Sequence, residues 1–472
     1  MALRSSSLRA GFARGLLACG LALLSATSAP AAVFYPETFT LANGLQIVVV
    51  PNRLSPAVAQ MVWYKVGAAD EATGHSGLAH YLEHLMFRGT EAIPAGSFSD
   101  LIAAQGGNDN AFTSYDYTAY HEIVAADRLA MVMQMEADRM QNLRITPDSA
   151  MPELNVVLSE RQERTDNNPQ GKFAERVRRA LFADHPYGRP VIGWRDEMEK
   201  MSIADAEHFY LDRYAPNNAV VVISGNVATA DVMRLAAGTF GRVPPRAVPP
   251  RRAFPNVEPP TERRIEMTDP GVQQPQLSVS IVTESFGTNP KASYALEVLS
   301  EALAGGEVGV LYRRLVMKRQ IASGLDVSYD SGARGAAVYT FSATPQPGQD
   351  MKTLEAALNE ELRRFARRGL DVATVAAAKE RMQRSAIFAR DSLMAPGYVF
   401  GAALTTGQSV ADVEAWPARI KAVTVAEVNA ALRQLVSSPF RVTGLLLPDP
   451  DATPEARAQA QRAAQQPAKD IR

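Results

Sequence analysis

The sequence has almost no cysteine: Cys19 is the single one in 472 residues. It lies inside a short apolar run, so once that run is removed the chain can form neither a disulfide nor a thiolate metal site. A chain of this length with 46% apolar residues can bury full cores without such crosslinks. Lipid anchoring at Cys19 is disfavoured, because Arg14 leaves almost no apolar segment before it.

The apolar run itself is too short to cross a bilayer. LLACGLALL (16–24) follows three arginines and precedes the small residues SAPAA. This order is typical of a cleavable export signal, so we predict a signal peptide over residues 1–32 and a periplasmic or secreted mature protein.

The chain also lacks a charge excess. Its formal net charge is −1, and removal of the three arginines of the leader leaves 46 basic against 50 acidic residues. A protein with this balance has no electrostatic signature of a nucleic-acid partner. No later run reaches membrane-spanning length, so we expect no membrane span.

Proline occurs at an ordinary frequency over most of the sequence and is dense in one segment. VPPRAVPPRRAFPNVEPP (243–260) holds seven prolines, which exclude a helix or a central strand. We predict a Pro-rich linker here. It separates an N-terminal domain (33–242) from a C-terminal domain (261–450), and the apolar-poor tail (451–472) is expected to be disordered.

The two halves resemble each other in pattern. Each opens with strand-like segments, FTLANGLQIVVV and VAQMVWYKV in the first and RRIEM and QLSVSIV in the second, and a helix follows. We therefore predict an α+β fold of two homologous domains, each an antiparallel-rich sheet with helices packed on it. An offset of 217 residues aligns His80 with Glu297 and His84 with Glu301, so the second copy should carry no metal site.

Three of the six histidines fall in HSGLAHYLEHLMFRGT (75–90). On a helix that begins at Leu78 and is capped by Ser76 and Gly89, His80 and His84 lie one turn apart and can reach a single Zn²⁺. Glu83 would then lie beside the metal, where it can accept a proton from water. The alternative is a solvated polar helix face, which the rarity of the H-x-x-E-H pattern disfavours. His75 precedes the helix and is expected in a loop.

A catalytic zinc needs a third protein ligand. The segment PELNVVLSERQER (152–164) places Glu153 and Glu160 two helical turns apart on one face. Glu163 and Arg164 on the same segment are expected to be surface charges.

These segments, with HPYGRPVIG and YAPNNAVVVISGNV, resemble the M16 metallopeptidases, the group of pitrilysin, insulin-degrading enzyme and mitochondrial processing peptidase. The resemblance implies a zinc peptidase that cleaves short or unfolded peptides. It implies His80, His84 and Glu160 as ligands of one zinc ion, Glu83 as the general base, and Glu153 as the residue that orients a ligating histidine.

GGNDNAFTSYDYTAY (106–120) resembles the edge strand with which this family holds an extended peptide. The resemblance implies that Asn110, Ala111 and Phe112 bind substrate through their backbone groups.

One part of the family pattern is missing. Where the second domain of active members carries an arginine and a tyrosine, an ungapped alignment places Val316 and Ser323. The resemblance therefore implies a zinc-bearing subunit that receives this pair from a homologous partner in a heterodimer; the alternative assembly is a homodimer. The competing hypothesis is a non-catalytic, zinc-bound scaffold or assembly subunit. Mn²⁺ or Co²⁺ could replace zinc at such ligands.

Overall fold

The computed structural model describes residues 32–261 and 263–465. The predicted signal peptide lies outside these residues, except for Ala32. Among the described residues, no helix combines the length and the apolar character that a membrane span requires.

Within the described residues, the first half contains six strands and eight helices. They are β1 (Glu37–Thr40), β2 (Gln46–Pro51), β3 (Ala57–Tyr64), α1 (Leu78–Leu85), α2 (Ser97–Ala103), β4 (Asn108–Thr113), β5 (Thr118–Ala125), α3 (Leu129–Asn142), α4 (Pro147–Arg161), α5 (Pro169–Phe182), α6 (Arg195–Met198), α7 (Ile203–Arg213), β6 (Ala219–Gly225) and α8 (Thr229–Gly238). A π-helical segment, Gln162–Asp166, continues α4.

The second half, within the same limits, contains five strands and nine helices. They are β7 (Arg264–Asp269), β8 (Gln276–Thr283), α9 (Pro290–Ala304), α10 (Val310–Tyr312), β9 (Ala322–Tyr329), β10 (Ala337–Pro345), α11 (Met351–Arg368), α12 (Val372–Ala389), α13 (Ala395–Thr406), α14 (Val410–Glu414), α15 (Trp416–Ala422), α16 (Val425–Ser437), β11 (Arg441–Pro448) and α17 (Pro454–Gln465). A second π-helical segment, Arg313–Lys318, follows α10.

Five strands of the first sheet share one topology with the five strands of the second, which confirms the prediction of two homologous α+β domains. The first sheet has the order β1-β2-β6-β3-β5-β4, and the second has β7-β11-β8-β10-β9. In each, one parallel pair (β2 with β6, β7 with β11) stands among antiparallel neighbours. Strand β6 reads AVVVISG and is buried along its whole length, as a central strand covered on both faces must be.

Local sequence does not predict which helices cover the two faces of each sheet. Each sheet packs on helices of its own half, and its opposite face is covered by a helix of the other half. Helix α5 places Phe173, Val177 and Leu181 against the second sheet, at a spacing of four residues. Helix α13 packs against β3 and β6 of the first sheet.

Glycine makes the α13 contact possible. A Cβ atom added at Gly401 would lie 2.0 Å from Cε2 of Trp63, and one at Gly397 would lie 2.3 Å from the sulfur of Met61. The two halves therefore interlock through close backbone approach, which fixes the first sheet and its edge strand against the second half.

Residues 244–260 contain neither helix nor strand and run along both halves. Arg251 in this segment forms hydrogen bonds to the carboxylate of Asp70 and to the carbonyl oxygens of Asp116 and Thr405. Phe254 packs on Tyr187, with ring centroids 4.9 Å apart. The proline-rich segment is thus anchored along the junction.

Part of the tail differs from its prediction of disorder, because Pro454–Gln465 forms helix α17. The alanines, glutamines and arginines of PEARAQAQRAAQ are good helix formers even without an apolar stripe. Residues 466–472 lie outside the described residues.

Candidate active site

Helix α1 carries the H-x-x-E-H pattern, and its ends differ from the prediction. Ser76 does not cap the helix; its hydroxyl accepts the backbone N–H of Trp194 at 2.8 Å. The buried carboxylate of Glu71 accepts the N–H groups of Gly77 and Ala79 instead, at 3.1 and 2.8 Å. The helix ends at Leu85, four residues before Gly89. A carboxylate six residues before Gly77 therefore satisfies the start of the helix, in place of the predicted cap at Ser76.

The structure brings His80, His84 and Glu160 together, as the sequence predicted. Oε2 of Glu160 lies 3.7 Å from Nε2 of His80 and 3.3 Å from Nε2 of His84. One ligand atom from each of the three lies within 4.8 Å of the others. This is the only such group of histidine, cysteine and acidic residues among the described residues.

This donor set fits a zinc ion. Ligands of a tetrahedral zinc at about 2.0–2.2 Å stand about 3.3–3.6 Å apart, close to the separations of the two Nε2 atoms from Oε2 of Glu160. Two histidines and one carboxylate also form the ligand set of a catalytic rather than a structural zinc site. His80 and His84 would reach a metal from α1, and Glu160 would reach it from α4.

Charge and burial set the protonation of this group in the metal-free chain. Burial, reinforced by the charge of His84, lowers the pKa of His80 to about 4. Burial alone would lower the pKa of His84 too, but hydrogen bonds to Glu153 and Glu160 outweigh it and raise that pKa to about 9. Burial would raise the pKa of Glu160, but His84 and His80 hold it at about 2. A metal that binds here must displace the proton of His84.

Glu153 lies where the resemblance implied. Its Oε1 is 2.7 Å from Nδ1 of His84, and its other oxygen forms an ion pair with Arg88. A carboxylate on Nδ1 directs Nε2 of the same ring towards the metal position. The sequence did not single out Arg88, although it directly follows the motif helix.

Glu83 lies beside the ligands and does not belong to the group of three. It is 8% exposed, and burial raises its pKa to about 7 even though Thr113 donates a hydrogen bond to it. A carboxyl group with a pKa near neutrality can both take and return a proton.

The predicted substrate strand is β4, and it forms one edge of the first sheet. Asn110 is exposed there, while Ala111 and Phe112 are half-buried. Side chains alternate along the strand: Thr113 bonds to Glu83 on the metal side, and Phe112 packs on Trp63 on the other side, with ring centroids 5.3 Å apart. Beyond β5, strand β4 has no further neighbour among the described residues.

A cavity of about 930 Å³ joins these groups. Its lining includes the residues of the metal group, Glu83, the strand β4 from Asp109 to Thr113, and the turn after α4. Glu163 and Arg164, which we expected to be plain surface charges, line this cavity as well. His75 is a loop residue, 3.6 Å from Asp205.

The second half has no equivalent group among its described residues. Glu297, which aligns with His80, is half-buried and accepts hydrogen bonds from Ser331 and Trp416. Glu301, which aligns with His84, forms an ion pair with Arg381 at 2.5 Å. A cationic side chain thus stands beside the carboxylate where the first half has its metal ligands.

Comparison with known proteins agrees with this architecture. Residues 47–194 match the family model described as insulinase (peptidase family M16), and residues 200–382 match the model described as the peptidase M16 inactive domain. An uncharacterized zinc protease of Mycobacterium bovis is 33% identical over 86% of this chain and 92% of its own length. Zinc protease PqqE of Helicobacter pylori is 32% identical over 70% of this chain and 74% of its own length.

Among solved structures, a protease from Helicobacter pylori superposes with a TM-score of 0.82 at 26% identity, over 88% of this chain and all of that one. Fold, donor set and these matches together define a two-domain metallopeptidase. The chain belongs to the M16 family of zinc metallopeptidases.

Proposed function

We propose that the chain is a zinc-dependent endopeptidase that hydrolyses short or unfolded peptides. The observation that carries this proposal is the meeting of His80, His84 and Glu160 around one point, with the buried carboxyl of Glu83 beside them. His80, His84 and Glu160 would hold the ion. A bound zinc polarises the scissile carbonyl and acidifies a water molecule at neutral pH.

Glu83 performs the proton transfers. It accepts a proton from the attacking water as the water oxygen bonds to the carbonyl carbon and the π electron pair moves onto the carbonyl oxygen. It then returns that proton to the amide nitrogen as the C–N bond breaks. A pKa of about 7 suits both directions of transfer. The two products are a carboxylic acid and an amine, and transfer of the acid's proton to the amine gives a carboxylate and an ammonium group at neutral pH.

Strand β4 supplies a surface on which the substrate can lie. An extended peptide would add to its free edge, with hydrogen bonds from the backbone around Asn110, Ala111 and Phe112. Backbone pairing is independent of side chains, so it favours unfolded segments over one particular sequence. A folded substrate exposes unpaired backbone groups only at the edges of its sheets, whereas an unfolded segment exposes them along its length.

The absence of the Arg/Tyr donor pair supports assembly with a partner subunit. Val316 packs against the core of the second half. The hydroxyl of Ser323 donates a hydrogen bond of 3.1 Å to the carbonyl oxygen of Pro345. Neither residue replaces an arginine or a tyrosine as a donor to substrate. We therefore propose that the chain is the zinc-bearing subunit of a heterodimer, in which a homologous subunit that carries the Arg/Tyr pair completes the site. A homodimer is the alternative assembly, and it would not supply this pair.

The same missing pair favours a second candidate function, a zinc-bound scaffold without catalysis. The position and the raised pKa of Glu83 oppose it, because a purely structural zinc site has no use for a proton acceptor beside its ligands. In either case we propose a periplasmic or secreted location, on the strength of the leader sequence.

The proposal is tested by stripping the chain with a chelator and restoring zinc stepwise. An unfolded peptide of about 25 residues serves as substrate, alone and with a homologous subunit that carries the Arg/Tyr pair. Turnover that rises to a plateau at one zinc per chain supports the proposal, and turnover that persists without metal contradicts it. Full activity of the lone chain, unchanged by any partner, contradicts the heterodimer.

A further inference from the structure

The residue on which this inference rests is Arg164, at the cavity end of α4. Its Nη1 lies 2.6 Å from Oε1 of Glu160, while Oε2 of the same carboxylate faces the nitrogens of His80 and His84. The guanidinium is therefore separated from the metal position by the width of one carboxylate.

The backbone that carries Arg164 is held firmly. Arg161, one turn earlier, is buried and donates to the carbonyl oxygen of Gly193 at 2.6 Å and to Glu175 at 3.0 Å. Arg195 reaches Asp166, on the far side of Arg164, at 2.8 Å. These contacts brace the π-helical turn Gln162–Asp166, a type of irregularity that often marks functional sites.

The side chain of Arg164, by contrast, is 72% exposed towards the cavity. Within residues 32–261 and 263–465, Glu160 is the only carboxylate that forms an ion pair with its guanidinium. An arginine carries five N–H donors, so most of them remain available to a molecule in the cavity. Because its backbone is held in place and its guanidinium is exposed, Arg164 is suited to contact a ligand in the cavity.

Charge balance favours such a donor even beside a bound zinc ion. The cavity lining contains two cations, Arg88 and Arg164, and Arg88 is engaged by Glu153. The remaining charged residues of the lining are acidic: Glu83, Asp100, Asp109, Glu160 and Glu163. When water adds to a peptide carbonyl, negative charge grows on its oxygen, and surrounding carboxylates disfavour that charge unless a cation compensates.

We propose that Arg164 is a catalytic residue that donates hydrogen bonds to the oxygen on which this charge develops. The inference rests on the proposed peptidase function and adds a donor from within the chain. As a peptide covers the cavity, water leaves the guanidinium and its attraction to the oxyanion strengthens. Arg164 would thereby supply part of the oxyanion stabilisation that Val316 and Ser323 cannot provide, and a partner subunit would supply the rest.

Arg164 could instead act only through Glu160, as a positioning residue for the metal ligand. The two roles differ in what they change. A donor to the oxyanion alters the binding of a transition-state mimic, whereas a residue that positions Glu160 alters zinc affinity.

The experiment measures binding to the full zinc-loaded chain, so it does not depend on turnover or on a partner. A phosphinic peptide mimics the charged tetrahedral state, and a ketomethylene peptide of the same sequence mimics the uncharged substrate. For Arg164→Gln we expect the affinity of the phosphinic peptide to fall about 100-fold, and that of the ketomethylene peptide to change less than about 3-fold. Arg164→Lys should lose less, because it keeps the charge without the planar fork.

Zinc affinity, measured by competition with a chelator, should change less than about 10-fold in both variants. Arg176→Gln is the matched control, since it removes one exposed arginine on α5 outside the cavity lining. Equal losses for both peptides, or a loss explained by zinc affinity, would overturn the role of Arg164. Failure of the unsubstituted chain to bind the phosphinic peptide in a zinc-dependent way would instead overturn the proposed function, and this inference with it.

Discussion

Oγ1 of Thr113, on the edge strand β4, donates a hydrogen bond of 2.5 Å to Oε2 of Glu83, on helix α1. This contact ties the strand proposed to hold the substrate to the carboxyl proposed to move the proton. It therefore fixes the direction in which Glu83 faces a peptide lying on β4.

Replacing Thr113 with valine should impair catalysis without loss of metal. A hydrogen bond to a charged group contributes about 1.5–3 kcal/mol, so kcat should fall about 10- to 100-fold. Thr113→Ser keeps the hydroxyl and should retain most of the activity. Steady-state kinetics on zinc-matched samples provide the measurement, and an unchanged kcat in Thr113→Val would remove this role.

The contact between Glu153 and His84 predicts an effect on metal binding. Glu153→Gln keeps the shape of the side chain but weakens the acceptor for the Nδ1–H group, so zinc affinity should fall about 10- to 100-fold. Glu207→Gln, an exposed change on α7, is the control. Chelator competition measures both, and equal zinc affinities would contradict the orienting role of Glu153.

Helix α13 should be sensitive to a single methyl group. Gly401→Ala forces a Cβ atom against Trp63, and overpacking of this kind typically costs about 1–3 kcal/mol of unfolding free energy. Gly238→Ala in α8 introduces the same methyl group into open space and should leave stability unchanged or slightly higher. Denaturant unfolding of the two variants tests whether the halves interlock through this helix.

His185 should make stability depend on pH. Its Nδ1 accepts the N–H of Tyr187 at 3.0 Å, and burial, with the charges of Arg178 and Arg189, lowers its pKa to about 4. Between its unfolded pKa of about 6.5 and this value, the folded chain binds fewer protons than the unfolded chain, so stability falls as pH falls.

His185→Asn keeps an acceptor for the same N–H group but cannot take up a proton in this range. Between pH 7 and pH 4, the unfolding free energy of the unsubstituted chain should drop by about 1–3 kcal/mol more than that of the variant. If the unfolding free energies of the two proteins change by the same amount with pH, the pKa of His185 does not differ between the folded and unfolded chain.

The sequence predicted those parts of the site that depend on local spacing. One helical turn between His80 and His84 already brings both rings to one face, and Asn43-Gly44 already indicates the turn between β1 and β2, where Gly44 has a φ of 88°. Glu160 required the family resemblance, because its distance from His84 along the chain says nothing about their distance in space.

The features that the sequence did not predict depend on how the chain folds back on itself, over a few residues at α1 and over long distances elsewhere. The carboxylate of Glu71 caps α1 from a separate loop, although Ser76 stands at the expected position. Helices α5 and α13 carry ordinary amphipathic or small-residue patterns, and nothing in them indicates that they cover the sheet of the other half. Arg164 reads as a surface charge until the cavity around it is seen.

Glu83→Gln tests the central claim most directly, because it removes only the proton acceptor and leaves His80, His84 and Glu160 in place. We predict that the variant binds one zinc per chain with unchanged affinity and that its peptide turnover falls about 100- to 10,000-fold. Turnover equal to that of the unsubstituted chain, at the same zinc content, would contradict the account of Glu83 as the general base.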